Sequence, residues 1–211
     1  MRKAHILTLA LFLSAGCALK ADQLLTVTLN TGPLYNNFGS LDFAFDAGAL
    51  SSQPATVQVL NFTGAVISER ALTYTGAVTG GPLPAPITIS NSTAYQSNDL
   101  FENFYFYAPV LSFTLDFSGP AVNSPGAGNT STSQFAFYTY ADVNGSVPVL
   151  TNDPSGLSGL VTINLNGSLS ATALSPNLTF AAPAAAPEPA TLWLLGGAFG
   201  FLGLSRFLRR S

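Results

Sequence analysis

Between residues 22 and 180 apolar and polar side chains alternate with a period of two, and that alternation limits the chain to strands with one buried and one wet face. Leu25, Val27 and Leu29 alternate with Thr26, Thr28 and Asn30, and Leu41, Phe43 and Phe45 with Asp42, Ala44 and Asp46. Leu111, Phe113, Leu115 and Phe117 repeat the pattern against Ser112, Thr114 and Asp116, as do Val161, Ile163 and Leu165 against Thr162, Asn164 and Asn166. Further strands are expected over 56–62, 65–74, 86–90, 101–108, 134–140 and 169–180. Turn-forming groups such as Gly80-Gly81-Pro82, Ser118-Gly119-Pro120, Asn144-Gly145, Asn152-Asp153-Pro154 and Asn166-Gly167 separate the runs. Roughly ten short strands predict an all-β fold, a single antiparallel β-sandwich of jelly-roll-like type. No internal repeat suggests a propeller or solenoid. The Gly/Ser/Thr/Asn-rich stretch 118–133 is long for a plain connection and is expected to be a mobile loop.

The chain has 211 residues, enough for one domain once its two hydrophobic ends are set apart. Its single cysteine, Cys17, and single histidine, His5, both lie in the first of those ends. The domain therefore contains no disulfide and must be held by its core.

Without histidine, cysteine or lysine there, no Ser-His-Asp or Cys-His arrangement, imidazole metal ligand or Schiff-base lysine can form, and the reading is of a non-enzymatic protein. Between residues 22 and 180, Arg70 is the only base, against the acids Asp22, Asp42, Asp46, Glu69, Asp99, Glu102, Asp116, Asp142 and Asp153. A surface of that sign repels phosphate backbones, which excludes nucleic acid as a partner.

Arg2-Lys3 followed by the apolar run 4–19 has the layout of a secretory signal, too short for a comfortable membrane span. Leu19-Lys20-Ala21 offers signal peptidase a cleavage site between Ala21 and Asp22, so residues 1–21 are expected to be removed. Ser14-Ala15-Gly16-Cys17 is the rival, lipoprotein-type reading, with Leu13 one position too early for it.

At the other end Pro187-Glu188-Pro189 precedes an uncharged stretch, 190–205, and then Arg206, Arg209 and Arg210. As a helix that stretch reaches about 24 Å at ~1.5 Å per residue, marginal for a ~30 Å hydrocarbon core, so Phe207-Leu208 and snorkelling arginines must complete the span. The positive-inside rule keeps the arginines cytoplasmic and leaves Pro-Glu-Pro on the periplasmic face. Gly196 and Gly200 form a G-x-x-x-G pair, although glycine is common in membrane helices generally. The Ala/Pro-rich residues 181–186 read as an extended linker.

This tail, residues 187–211, closely resembles the PEP-CTERM sorting signal of exported Gram-negative proteins, and the resemblance implies processing by an exosortase-type enzyme. The middle is also similar to an uncharacterised group of PEP-CTERM β-proteins. That similarity rests on Leu41-Asp42-Phe43, Phe101-Glu102-Asn103-Phe104, Phe135-Ala136-Phe137 and the run from Phe113 to Phe117. The implied function is a structural or adhesive component of the cell surface, exopolysaccharide matrix or biofilm, sorted through a membrane-anchored intermediate.

Three kinds of residue offer chemistry inside the domain. Tyr105 and Tyr107, and likewise Tyr138 and Tyr140, alternate with phenylalanines and are candidates to stack on sugar rings, which would make the domain a carbohydrate-binding module. Asp142 and Asn144, with Asp153, supply hard oxygens for a Ca²⁺ site, the one cofactor considered; Asx turns are the commoner use of such residues. Asp42 with Asp46, or Asp99 with Glu102, are candidate pairs for a carboxylate-only glycosidase, against the simpler expectation of solvated strand-face acids. The Asn-x-Ser/Thr triplets at Asn61, Asn91, Asn129, Asn144, Asn166 and Asn177 are no more than this composition produces by chance.

Overall fold

The structure is a computed structural model that describes residues 22–48, 52–94, 97–127 and 129–182, with the side chains of residues 69–72 left aside. The signal segment through Ala21, residues 183–186 of the linker, the Pro187-Glu188-Pro189 motif and the arginines Arg206, Arg209 and Arg210 lie outside the described residues.

Twelve strands are described: β1 (Gln23–Asn30), β2 (Phe38–Ala47), β3 (Thr56–Thr63), β4 (Ala65–Thr75), β5 (Val78–Gly80), β6 (Ile87–Ser90), β7 (Asp99–Phe106), β8 (Val110–Ser118), β9 (Ser133–Tyr140), β10 (Leu157–Ile163), β11 (Leu169–Ala173) and β12 (Leu178–Ala181). They form two six-stranded sheets, ordered β12-β1-β8-β3-β6-β5 (sheet A) and β11-β10-β9-β2-β7-β4 (sheet B). Every described strand pair is antiparallel.

The pairing is nested: β1 with β8, β2 with β7 and β3 with β6, successive pairs falling in alternate sheets. β9, β10 and β11 extend sheet B beyond β2, and β12 extends sheet A beyond β1.

Alternation along each strand sends one set of side chains between the sheets. Phe43, Phe45, Phe104, Phe106, Phe113, Phe117, Phe135 and Phe137 are all fully buried there. Rings bridge the two layers: Phe113 of sheet A meets Phe43 and Phe137 of sheet B at centroid distances of 5.5 and 5.4 Å, both edge-on. Phe117 meets Phe45 and Phe135 in the same manner, at 6.2 and 6.0 Å. Edge-to-face geometry puts the positive ring edge on the negative face of its neighbour, so these contacts fix orientation as well as bury area.

Three expectations are corrected. The run 169–180 is two strands, not one: the chain turns at Ser175–Asn177, and β11 and β12 belong to different sheets. The strand through Val161 stops at Ile163. Asn164 accepts from the Gly167 N–H and donates its own to the Ser168 carbonyl, and that turn leaves Leu165 exposed.

The stretch 118–133 is not a free loop. A helical turn at Pro120–Asn123 buries Ala121 and Val122. The Gly126 N–H donates to Gln53 Oε1 at 2.9 Å, and the Gln53 N–H donates to Asn129 Oδ1 at 3.2 Å.

Candidate functional site

The outer face of sheet B carries most of the candidate residues, in rows set by register. Phe38, Tyr105 and Val66 form the first row, across β2, β7 and β4. Ser40, Asn103 and Tyr140 form the next, Asp42, Phe101 and Tyr138 the third, and Ala44, Asp99 and Ala136 the fourth, with Asp46 opposite Gln134 beyond it.

The loop 141–156 folds over the second row. Ser40 Oγ donates to the Asp142 carbonyl at 2.8 Å, and Tyr140 Oη donates to the Ser155 carbonyl at 2.8 Å. Gly156 has φ of 88°, and a Cβ there would lie 2.6 Å from the Tyr140 ring, so the close approach of backbone to ring requires glycine.

This separates the four tyrosines. Tyr140 is only 9% exposed, and burial, with the Asp42 charge second, pushes its phenol up to about 12, keeping the donor proton in place. Tyr138 is half-buried beside Asp42, and Tyr105 and Tyr107 stand at the far end of the sheet, where Tyr107 Oη accepts from the Gly64 N–H at 3.2 Å. The four do not form one stacking surface.

The carboxylates divide likewise. Asp99 and Glu102 lie on opposite faces of β7, because three residues along a strand reverse the side. Asp42 and Asp46 share the outer face but sit four residues apart, about 13 Å along the strand. Asp99, across from Ala44, lies diagonally between them.

Neither Asp42 nor Glu102 is a solvated surface acid. Burial first, and then the Asp99 and Asp46 charges, push the Asp42 carboxyl up to about 7, and its Oδ1 is buried without a hydrogen-bond partner. Glu102 points into the core with no exposed surface, in phase with Leu100, Phe104 and Phe106. The Leu83 N–H donates to its Oε1 at 3.4 Å, Oε2 has no partner, and burial raises this carboxyl to about 7 as well.

The calcium candidates are used by their own loops. Asp142 Oδ1 accepts from the N–H groups of Ser146 and Val147, each at 2.9 Å. Its Oδ2 accepts from Ser146 Oγ at 2.7 Å and the Asn144 N–H at 3.3 Å. Asp153 Oδ1 accepts from the Ser155 N–H at 2.8 Å and from Ser155 Oγ. These bonds hold both carboxyls below the ordinary range, the serine hydroxyl being the largest cause in each case. Asn144 and Asp142 thus act as a turn staple. Among the described residues no three His, Cys, Asp or Glu side chains are grouped to hold a metal.

The expected result is that millimolar Ca²⁺ leaves the melting temperature where a chelator does. An ion at 100 times its Kd would add ~2.7 kcal/mol, several degrees, and a shift of that size in a calorimetric scan would show that the loops open to coordinate it.

Sequence reasoning missed Phe38, 55% exposed and against the Tyr105 ring, and Tyr35, 48% exposed on the turn before it. The signal was present: Phe38 is out of phase with Leu41, Phe43 and Phe45, so it points outward. Comparison of the chain with protein-family models, with curated proteins and with solved structures gives no match.

Proposed function

We propose that this is a non-catalytic, exported structural or adhesive component of the bacterial surface or exopolysaccharide matrix. Signal peptidase removes residues 1–21, and an exosortase-type enzyme reads Pro187-Glu188-Pro189 at the membrane. The domain is a jelly-roll-like sandwich, a reading supported by the nested pairing of β1 to β8.

The observation that carries the proposal is the order of Pro-Glu-Pro, short apolar stretch and arginine cluster at the end of the sequence. The placement of the domain's ends is compatible with it. Ala181, at the end of β12, pairs with Thr26, three residues from the start of β1, so both hydrophobic flanks join the sandwich at one end. The core cluster is built from residues between Val27 and Leu178, so loss of either flank removes none of it.

Fractionation of the native host, with mass spectrometry of the protein's C-terminus, tests the proposal. Wild-type protein in its final location should lack residues 190–211. Replacing Pro187 and Pro189 with alanine should leave insertion intact but hold full-length chain in the inner membrane, because proline keeps Glu188 extended and accessible. Wild-type protein that retains residues 190–211 in its final location would overturn the sorting reading.

A further inference from the structure

We propose that the end of the sandwich bearing Tyr35, Phe38, Val66 and Tyr105 is a binding platform for uncharged polysaccharide. The inference deepens the matrix role proposed above and rests on it only for where the platform meets its ligand.

Register places Phe38 opposite Tyr105 and Tyr105 opposite Val66, so three adjacent strands each contribute one side chain to a continuous row on the outer face of sheet B. Phe38 and Val66 are 55% and 48% exposed, and the Phe38 ring leans on Tyr105 at a centroid distance of 5.3 Å. Tyr35, 48% exposed, precedes the row on the turn leading into β2, next to Asn36, which the Tyr105 hydroxyl reaches.

That turn is fixed before anything binds. The Asn36 N–H donates to the Phe106 carbonyl at 2.8 Å and the Asn37 N–H to the Leu34 carbonyl at 2.9 Å. Asn36 adopts φ of 61°, a left-handed conformation asparagine tolerates, and its Oδ1 accepts from Tyr105 Oη at 3.3 Å. Asn37 Nδ2 donates to the Tyr35 carbonyl at 3.1 Å. A turn fixed in this way, with the Tyr105 hydroxyl tied to it, loses little conformational freedom on binding.

Charge selects the occupant. No charged residue occurs from Thr31 to Gly39, and the rest of the row is Val66 and Tyr105. The domain around it has nine acids and one base, a balance that disfavours uronic-acid polymers, anionic lipid surfaces and a second copy of the chain. A neutral chain of pyranose rings meets no such penalty. Its C–H faces suit the aromatic rings and its hydroxyls suit the amides of Asn36 and Asn37. The row also follows the end of β1 away from Gln23, and Ala181, opposite Thr26, is four residues short of that end, about 13 Å along the strand.

The test is affinity electrophoresis of the full-length chain, in a zwitterionic, non-glycosidic detergent, through gels containing dextran, a soluble β-glucan or alginate. At least one of the two neutral glucans should retard the protein and alginate should not. The double substitution Tyr35→Ala with Phe38→Ala should weaken that retardation about tenfold or more. Gln134→Ala, exposed at the far end of the same face, should leave it unchanged.

The proposal is overturned if neither neutral glucan retards the chain or if the double variant binds as wild type does. It is also overturned if the two substitutions instead abolish a concentration-dependent self-association seen without polymer, which would assign the patch to a second copy. The readout is independent of the C-terminal processing measured in the host, so failure of either idea leaves the other standing.

Discussion

The protein should melt at a higher temperature at pH 5 than at pH 8, by on the order of 10 °C. Asp42 and Glu102 have no cationic partner and are raised by burial to about 7 from ordinary values of 3.8 and 4.5. Below the ordinary values both states hold the proton and the folded state bears no penalty. As pH rises toward 7 the unfolded chain releases its protons while the folded chain keeps them, and the stabilisation is lost as pH passes the folded values.

At 1.36 kcal/mol per unit, each carboxyl carries about 2–3 kcal/mol between pH 5 and pH 8, and each kcal/mol shifts a domain of this size by roughly 2–4 °C. Asp46 and Asp116, also raised chiefly by burial, act in the same direction. Asp142 and Asp153 act oppositely, since their staples are lost only as pH falls through their lowered values. The optimum should therefore be mildly acidic. Calorimetric scans across pH check it: Glu102→Gln and Asp42→Asn should each remove about half of the slope. A melting temperature that is flat or rising from pH 5 to pH 8 would show that neither carboxyl is held protonated.

Of these two acids only Glu102 was legible in the sequence by phase. Glu102 shares the parity of Leu100, Phe104 and Phe106 and follows them into the core; the expectation of a solvated acid came from residue type and was overridden by position in the strand. Phe38 is the mirror case, an aromatic ring of the wrong parity that the pleat turns outward. Asp42 obeys its parity and faces out. Its register neighbours across the sheet are Phe101 and Tyr138, and no period along β2 reports what lies on adjacent strands.

The same limit hid the division of 169–180 between two sheets. The turn there is made by Ser175, whose Oγ donates to the Leu150 carbonyl and whose own carbonyl accepts from the Leu178 N–H. The partner at Leu150 lies in the loop 141–156. The tyrosine candidates failed to converge for a related reason: alternation set the face of Tyr105, Tyr138 and Tyr140, while Tyr107 follows the end of β7, and the distance between rows and the covering of Tyr140 are properties of the assembled sheet.

Two phenylalanines distinguish core from platform in one experiment. Phe113→Ala should cost about 3–5 kcal/mol, because the ring has no room to be replaced by solvent and the cavity it leaves collapses only partly. Phe113 packs against Phe43, Phe137 and Phe62, the first two across the sandwich, so its loss loosens both sheets at once. At roughly 2–4 °C per kcal/mol the melting temperature should fall by 6–20 °C. Phe38→Ala removes the same side chain from a position already half in water and should stay within about 0.5 kcal/mol of wild type. Thermal scans of the two single variants at one pH decide the matter. A large loss from Phe38→Ala would mean that this ring is covered in the folded protein and is no platform. A small loss from Phe113→Ala would mean that the inter-sheet aromatic cluster does not hold the layers together.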